Sequence, residues 1–345
     1  MKAAFLTGLR QVEVRDVPEP KIERDDDVLL RVEVVGVCGS DMHYYRTGRI
    51  GTQVVEYPWI VGHECSGEVV AVGEAVTNVR VGDRVAVDPL LVCGECDQCR
   101  TCRKHTCRNQ AFLGCPGQRP GALAELLVMP ASCCYRVPDG LDPIRTTLLE
   151  PFAIGYYAAA LAGEPAGRAF GVFGSGPIGL CVLQALQAGD AGSVYVTDIR
   201  DNRAALAARM RADWTGNPQR QDVVADVAAR EPLGLDAAFE CAGEQETMDQ
   251  AVELLKPGGT LLLVGIPEFD RASFPMDLLR RKELTIANVR RQNECVQPAM
   301  DLLAAGKVDL APMVTHEFDL AETQTAFDIV ADYRDDAVKA IIHVR

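Results

Sequence analysis

The chain has 345 residues, 48% hydrophobic and 24% charged, the proportions of an ordinary soluble protein long enough for two domains. Its formal net charge of −14 argues against a nucleic-acid partner and against anionic membrane surfaces, both of which call for a basic face. The 13 cysteines are odd in number and no secretion signal is recognisable, so disulfides are disfavoured and a cysteine cluster points to metal in a reducing, cytoplasmic setting.

The opening "MKAAFLTGLR" reads as a first strand, since its apolar run ends at Arg10 without a small-residue cleavage site. Up to about Arg136 the texture stays strand-like. Alternating β-branched runs such as "VLLRVEVVGV" and "GEVVAVG" are separated by turns such as "VGDRV". From about Leu148 it changes. "AFGVFG" predicts a short buried strand, Pro177 to Ala188 a helix, and "SVYVTDI" a strand followed by the helical "RDNRAALAARMR". "LDAAFECAG", the helical "QETMDQAVELL", the turn "KPGG" and the strand "TLLLVGIP" continue the alternation, which implies a parallel, doubly wound sheet. The charge-free stretch from Ala169 to Gly189 is long enough to span a bilayer, but its glycines, Pro177 and two glutamines suit a buried strand–turn–helix. The expected organisation is a first domain over 1–150, completed by the tail 289–345, and a second over 151–288.

Three constellations carry chemistry. In "VCGECDQCRTCRKHTC" the spacing Cys93-x2-Cys96-x2-Cys99-x7-Cys107 supplies four thiolates, enough for a closed tetrahedral structural zinc. The rival set ending at Cys102 looks like an iron–sulfur run, but that run wants x3 before its fourth cysteine and a proline after it; here the gap is x2 and Arg103 follows. Cys102 is therefore the spare. A second set is dispersed: Cys38, Ser40 and His43 in "GVCGSDMHYY", His63 and Glu64 in "VGHECSGEVVAVGEAV", and Glu150 in "LLEPFAIGYYA". Singly these are a buried thiol, a core histidine and an exposed carboxylate. Together they offer the mixed sulfur, nitrogen and oxygen donors of an open catalytic zinc site.

The third is "GVFGSGPIG", with Gly174-x-Gly176-x-x-Gly179 between a strand and a helix. Such glycines permit a tight turn and close approach of a pyrophosphate to the positive helix end. Asp198 follows near the 20-residue offset at which an acid accepts from the ribose hydroxyls and repels a 2′-phosphate, so NAD is the expected cofactor despite Arg200 and Arg203 nearby.

On these motifs the chain resembles the zinc-dependent medium-chain dehydrogenases over nearly its whole length. Gly62, His63, Glu64, Gly67, Gly73 and Val76 match the family's zinc signature. "GVCGSDMHYYRTGRIG" and "LLEPFAIGYYA" are most similar to its sorbitol (polyol) dehydrogenase branch, which uses a glutamate at the position of Glu150. The resemblance implies a GroES-like, mostly-β catalytic domain and a Rossmann domain. It implies Cys38, His63 and Glu64 as ligands of a catalytic zinc, with Glu150 bound directly or through a water. Ser40 and His43 would relay the proton. Gly174, Gly176, Pro177, Ile178, Gly179, Asp198, Arg203, Val264, Gly265 and Arg290 would bind the cofactor, and Tyr44, Phe112, Glu150 and Arg290 would grip substrate hydroxyls. Departures from the branch are Arg290-Arg291, where it often shows Arg-Tyr, and the segment "FLGCPGQRPGALAEL". They point to a different polyol or to an anionic hydroxy compound.

The expected reaction is NAD- and zinc-dependent oxidation of a secondary hydroxyl of a polyol to a ketose by a homo-oligomer, dimer or tetramer. A zinc dehydrogenase acting on L-threonine or a simple secondary alcohol stays open as the alternative. So does a non-catalytic NAD-binding protein that has kept the fold.

Overall fold

The strand Asp27–Gly36 is the axis of the first unit, and its alternating burial follows from the alternation of β-branched and polar residues in DVLLRVEVVG. The computed structural model describes residues 1–344. Asp27–Gly36 pairs antiparallel with Glu64–Val72, with Lys339–His343 and with Leu126–Pro130. Arg84–Val87 and Cys134–Arg136 extend the sheet beyond Glu64–Val72, and Val314–Asp319 extends it beyond Lys339–His343. Leu6, Leu30, Tyr45, Leu113, Met129, Phe327 and Ile342 fill the core of this unit. The register decides what meets at the sheet's end. Gly36 faces Glu64 on one side and Ile341 on the other, two residues before Cys38.

The second unit is a six-stranded parallel sheet ordered Trp214–Gly216, Ser193–Thr197, Ala169–Phe173, Leu235–Glu240, Leu255–Leu263, Thr285–Asn288. Numbered along the chain that order is 3-2-1-4-5-6, the doubly wound arrangement, with ligand sites expected where the order reverses beside the first strand. Ala169–Phe173 is buried at every residue, as a central parallel strand must be. The stretch long enough to cross a bilayer is this strand followed by the helix Pro177–Ala188. Among the described residues no helix is long and apolar enough to span a membrane.

Two expectations need correction. The first unit comprises Met1–Glu150 and Val314–Arg345, and the second Pro151–Met313, so residues 289–313 do not belong with the first domain. Burial is the reason: the helix Val296–Ala304 buries Val296, Ala299, Met300 and Leu303, and the Asp309 amide donates to Gln184 Oε1 of the second unit. The "KPGG" turn is also absorbed into the single strand Leu255–Leu263, where Gly258 at φ +78° and a register shift opposite Leu235–Ala237 make a bulge.

Candidate active site and dinucleotide site

Cys38 caps the helix Gly39–Thr47, whose start is set by a capping box: Asp41 accepts from the Cys38 amide at 3.1 Å. Asp41 is 1% exposed, and its other oxygen lies 3.5 Å from His63 Nδ1 and 3.3 Å from the Gly62 amide. One carboxylate thus orients both the thiol-bearing helix and the imidazole, leaving Nε2 to act as a ligand. The sequence reading missed Asp41. Its signal was there, an acid three residues after Cys38 at the third helical position.

The ligand atoms of Cys38, His63 and Glu64 lie within 4.8 Å of one another. Burial disfavours the imidazolium, yet Asp41 and the Cys38 sulfur outweigh it and hold the His63 pKa well above its ordinary value. The same negative groups that stabilise a proton there stabilise a cation. Ser40 Oγ donates to Cys38 Sγ at 3.3 Å, which places it at the cluster, and half-buried His43 follows one turn later on the same helix. Glu150 is outside the close set, but 8% exposed, with Oε2 meeting no hydrogen-bond partner. Burial, reinforced by nearby Glu64 and opposed by His63, pushes its carboxyl up to about 8. An orphaned buried carboxylate oxygen beside a thiol, an imidazole and a second carboxylate fits a divalent cation with a further ligand.

Glu64 has a partner that no local motif announced. Lys339, 1% exposed and 275 residues away, pairs with Glu64 Oε2 and donates to the Val37 carbonyl at 3.1 Å. A Cβ on Gly36 would overlap the Glu64 carboxylate, so glycine at that position leaves the room for this pair. Phe112 stands against His63, ring centroids 5.3 Å apart, and Tyr44 is buried with its hydroxyl 2.9 Å from Gln53 Oε1.

In the cysteine lobe, Cys93, Cys96, Cys99 and Cys107 bring their sulfurs together, with Cys96–Cys99 3.6 Å, Cys96–Cys107 3.9 Å and Cys107–Cys93 3.5 Å apart. Backbone amides of Arg108 and Cys99 hold the Cys96 thiol down to about 6, whereas burial and the neighbouring sulfurs push Cys99 up to about 12, so a bound cation is what would let the four ionise together. Cys102 is exposed and outside the cluster, at φ +58°.

In the second unit Gly174 takes φ +99°, and a Cβ on Gly179 would overlap the Gly174 carbonyl oxygen. Gly176 caps the helix Pro177–Ala188, with Pro177 and Ile178 its first residues, so the free amides of that end face the turn. Asp198 is 7% exposed. Its Oδ2 accepts from the Ser175 amide at 2.8 Å and hydroxyl at 3.2 Å, and its Oδ1 from the Arg200 amide at 2.9 Å. Three of about four acceptor positions are thus used in shaping the turn, a role for Asp198 and Ser175 that the motif alone did not reveal. Arg203 lies against Gly176, 3.5 Å from where a Cβ would stand. Glu240 Oε1 receives the amides of Ala242 and Gly243, and its backbone oxygen receives those of Val264 and Gly265. The Val289 amide donates to the Leu263 carbonyl, which brings Arg290 to the strand end that carries Val264 and Gly265. The predicted cofactor residues therefore gather at the C-terminal edge of one sheet.

Comparison with known proteins identifies the family. An alcohol dehydrogenase GroES-like domain matches residues 24–139 and a zinc-binding dehydrogenase domain matches residues 177–305. The sorbitol dehydrogenase of Bacillus subtilis is 35% identical over 344 residues, covering 99% of this chain and 97% of its own. A Sinorhizobium meliloti structure described as a zinc-binding dehydrogenase bound to NADP superposes with a TM-score of 0.91 at 30% identity, covering 99% of each chain. An Escherichia coli CFT073 alcohol dehydrogenase complexed with NADH gives a TM-score of 0.90 at 28% identity, covering 100% of this chain and 99% of that one. The GroES-like and Rossmann folds are those of this family, and the chain belongs to the zinc-dependent medium-chain dehydrogenases, in the sorbitol dehydrogenase branch.

Proposed function

We propose that this zinc alcohol dehydrogenase oxidises a secondary hydroxyl of a polyol to a ketose with NAD as the acceptor. The observation that carries the reading is the Cys38–His63–Glu64 donor set within 4.8 Å, with the orphaned Glu150 oxygen beside it. A zinc ion held there would supply Lewis acidity toward a substrate hydroxyl, and a bound nicotinamide would accept hydride. Asp41 keeps His63 Nδ1 engaged and so fixes the face that Nε2 presents. Ser40 Oγ takes the substrate proton and passes it to the His43 imidazole, from which it leaves to solvent. Glu150 holds a water or a substrate hydroxyl. The structural set Cys93, Cys96, Cys99 and Cys107 takes a second zinc.

NAD is favoured over NADP by Asp198, which would confront a 2′-phosphate in a site where burial amplifies like-charge repulsion. The structures bound to NADP and to NADH are about equally similar, so the preference rests on this residue. The polyol rests on the likeness to the sorbitol dehydrogenase relative. We further propose a homo-oligomer in the cytoplasm with no nucleic-acid or membrane partner, which light scattering on the purified protein and cell fractionation examine. The deciding experiment is NADH formation across a stereochemically varied polyol panel, with L-threonine and alkan-2-ols beside it. Polyols should give the highest kcat/KM; a preference for threonine or for alkan-2-ols overturns the substrate, and no turnover with any hydroxyl compound overturns the enzyme.

A further inference from the structure

We propose that Gln53 is a specificity-determining residue, whose side-chain amide donates a hydrogen bond to a substrate oxygen away from the reacting carbon and so selects polyols over simple secondary alcohols. This rests on the polyol reading above.

Gln53 lies in the short antiparallel pair Arg49–Ile50 and Gln53–Val54, which follows directly on the helix that Cys38 caps. Its amide joins two walls of the first unit. Oε1 accepts from Tyr44 Oη at 2.9 Å, and Nε2 donates to the Pro116 carbonyl at 3.2 Å. The amide's orientation follows from this, because only its N–H can meet a carbonyl oxygen. Cys115 Sγ lies 3.6 Å from both Gln53 Oε1 and Tyr44 Oη. Cys115 shares a buried cluster with Phe112, and Phe112 stands against the His63 ring. The network is therefore one side chain removed from the metal-ligand set, reached from one side along the Cys38 helix and from the other through Phe112.

A primary amide has two N–H donors. One of Gln53's is committed to Pro116, and no described residue takes the other. The side chain is half-buried and its amide is held at one end by Tyr44 and at the other by Pro116, so the direction of that donor is fixed. A rigid N–H recognises a hydroxyl or a carbonyl oxygen and offers nothing to a methyl group. Polyol and ketose carry such oxygens on the carbons flanking the reacting one, and butan-2-ol does not. Sites that hydrogen-bond a substrate hydroxyl discriminate strongly against analogues lacking it, because the site's own polar group is then left without a partner.

The test compares kcat/KM for the preferred polyol with that for butan-2-ol in the zinc- and NAD-loaded enzyme, for wild type, Gln53→Leu and Gln53→Glu. Gln53→Leu should lose at least ~10-fold more on the polyol than on butan-2-ol, mostly in KM, with two zinc ions retained. Gln53→Glu, equal in size but without the donor, should show the same selective loss, and stands in if the leucine variant fails to fold. Equal losses on both substrates would make Gln53 a mere brace for the loop and overturn the assignment. So would a wild-type selectivity that survives in Gln53→Leu. A wild type that oxidises no polyol overturns the substrate reading first, and this assignment with it.

Discussion

Lys339 and Glu64 show how one residue pair ties the tail of the chain to the metal site. Both are almost fully buried, so removing either charge leaves the other without compensation in a poor solvent for ions. Lys339→Met should lower the unfolding free energy by about 3–5 kcal/mol, read from urea titrations, while Lys339→Arg should retain a good part of it. Equal stabilities for wild type and the methionine variant would show that the pair carries no such burden. The cysteines pose a sharper single-residue contrast. Cys102→Ser should keep the structural zinc, whereas Cys107→Ser should lose one metal per chain and melt earlier, because binding energy at such a site is folding energy. Metal analysis that gives the opposite pattern means the spare has been misassigned.

The strand–turn–helix around Gly174 leaves no room for a side chain at two positions, Gly174 and Gly179. Gly179→Ala places a methyl group against the Gly174 carbonyl, so the turn must open and the helix start must move. NADH binding, followed by fluorescence titration, should weaken at least ~100-fold, with the metal content of the first unit unchanged. The start of the same sheet supplies a pH test. Asp236 accepts from the Ala169 amide at 3.0 Å and pairs with Lys256 and with Arg168. Burial opposes its ionisation, but Lys256, the amide and Arg168 outweigh burial and hold its carboxyl below the usual range. A folded-state pKa below the unfolded one means that its contribution is complete above about pH 4 and is lost as the pH falls further. Asp236→Asn should therefore cost about 1–2 kcal/mol at pH 7, Lys256 being partly exposed, and the gap to wild type should narrow as the pH falls below about 4. A gap that widens on acidification would contradict the sign.

For the molecule as a whole, cofactor choice is where two local signals compete. On the proposed reading Asp198 would repel a 2′-phosphate, while Arg200 and Arg203 would attract one. Arg203 lies along Gly176, on the floor of the turn, and the Arg200 amide already binds Asp198. Wild type should prefer NAD over NADP by at least ~100-fold in kcat/KM, equivalent to about 3 kcal/mol. Asp198→Ala should shrink that gap, but its removal also strips Ser175 and Arg200 of their acceptor, so NAD use should fall as NADP use rises. Equal use of both cofactors by the wild type would mean that the arginines prevail.

The features legible in the sequence are those whose chemistry is settled within a few residues. Cys93, Cys96, Cys99 and Cys107 share one loop, Gly174 to Gly179 one turn, and Cys38, Ser40 and His43 one helix start, so spacing alone determines what they can present. The alternation of strands and helices after Leu148 belongs to the same class, because hydrophobic period is a local property. What tertiary structure alone decided has long sequence separation. Lys339 reaches Glu64 only because the strand Lys339–His343 pairs with Asp27–Gly36 in one register, and a one-residue slip would turn that side chain to the other face. Gln53 meets Cys115 and Pro116, more than sixty positions on, through packing that no spacing encodes. Residues 289–313 join the second unit because their apolar helix face buries there, a choice made by the surface available to cover it rather than by anything written in the segment itself.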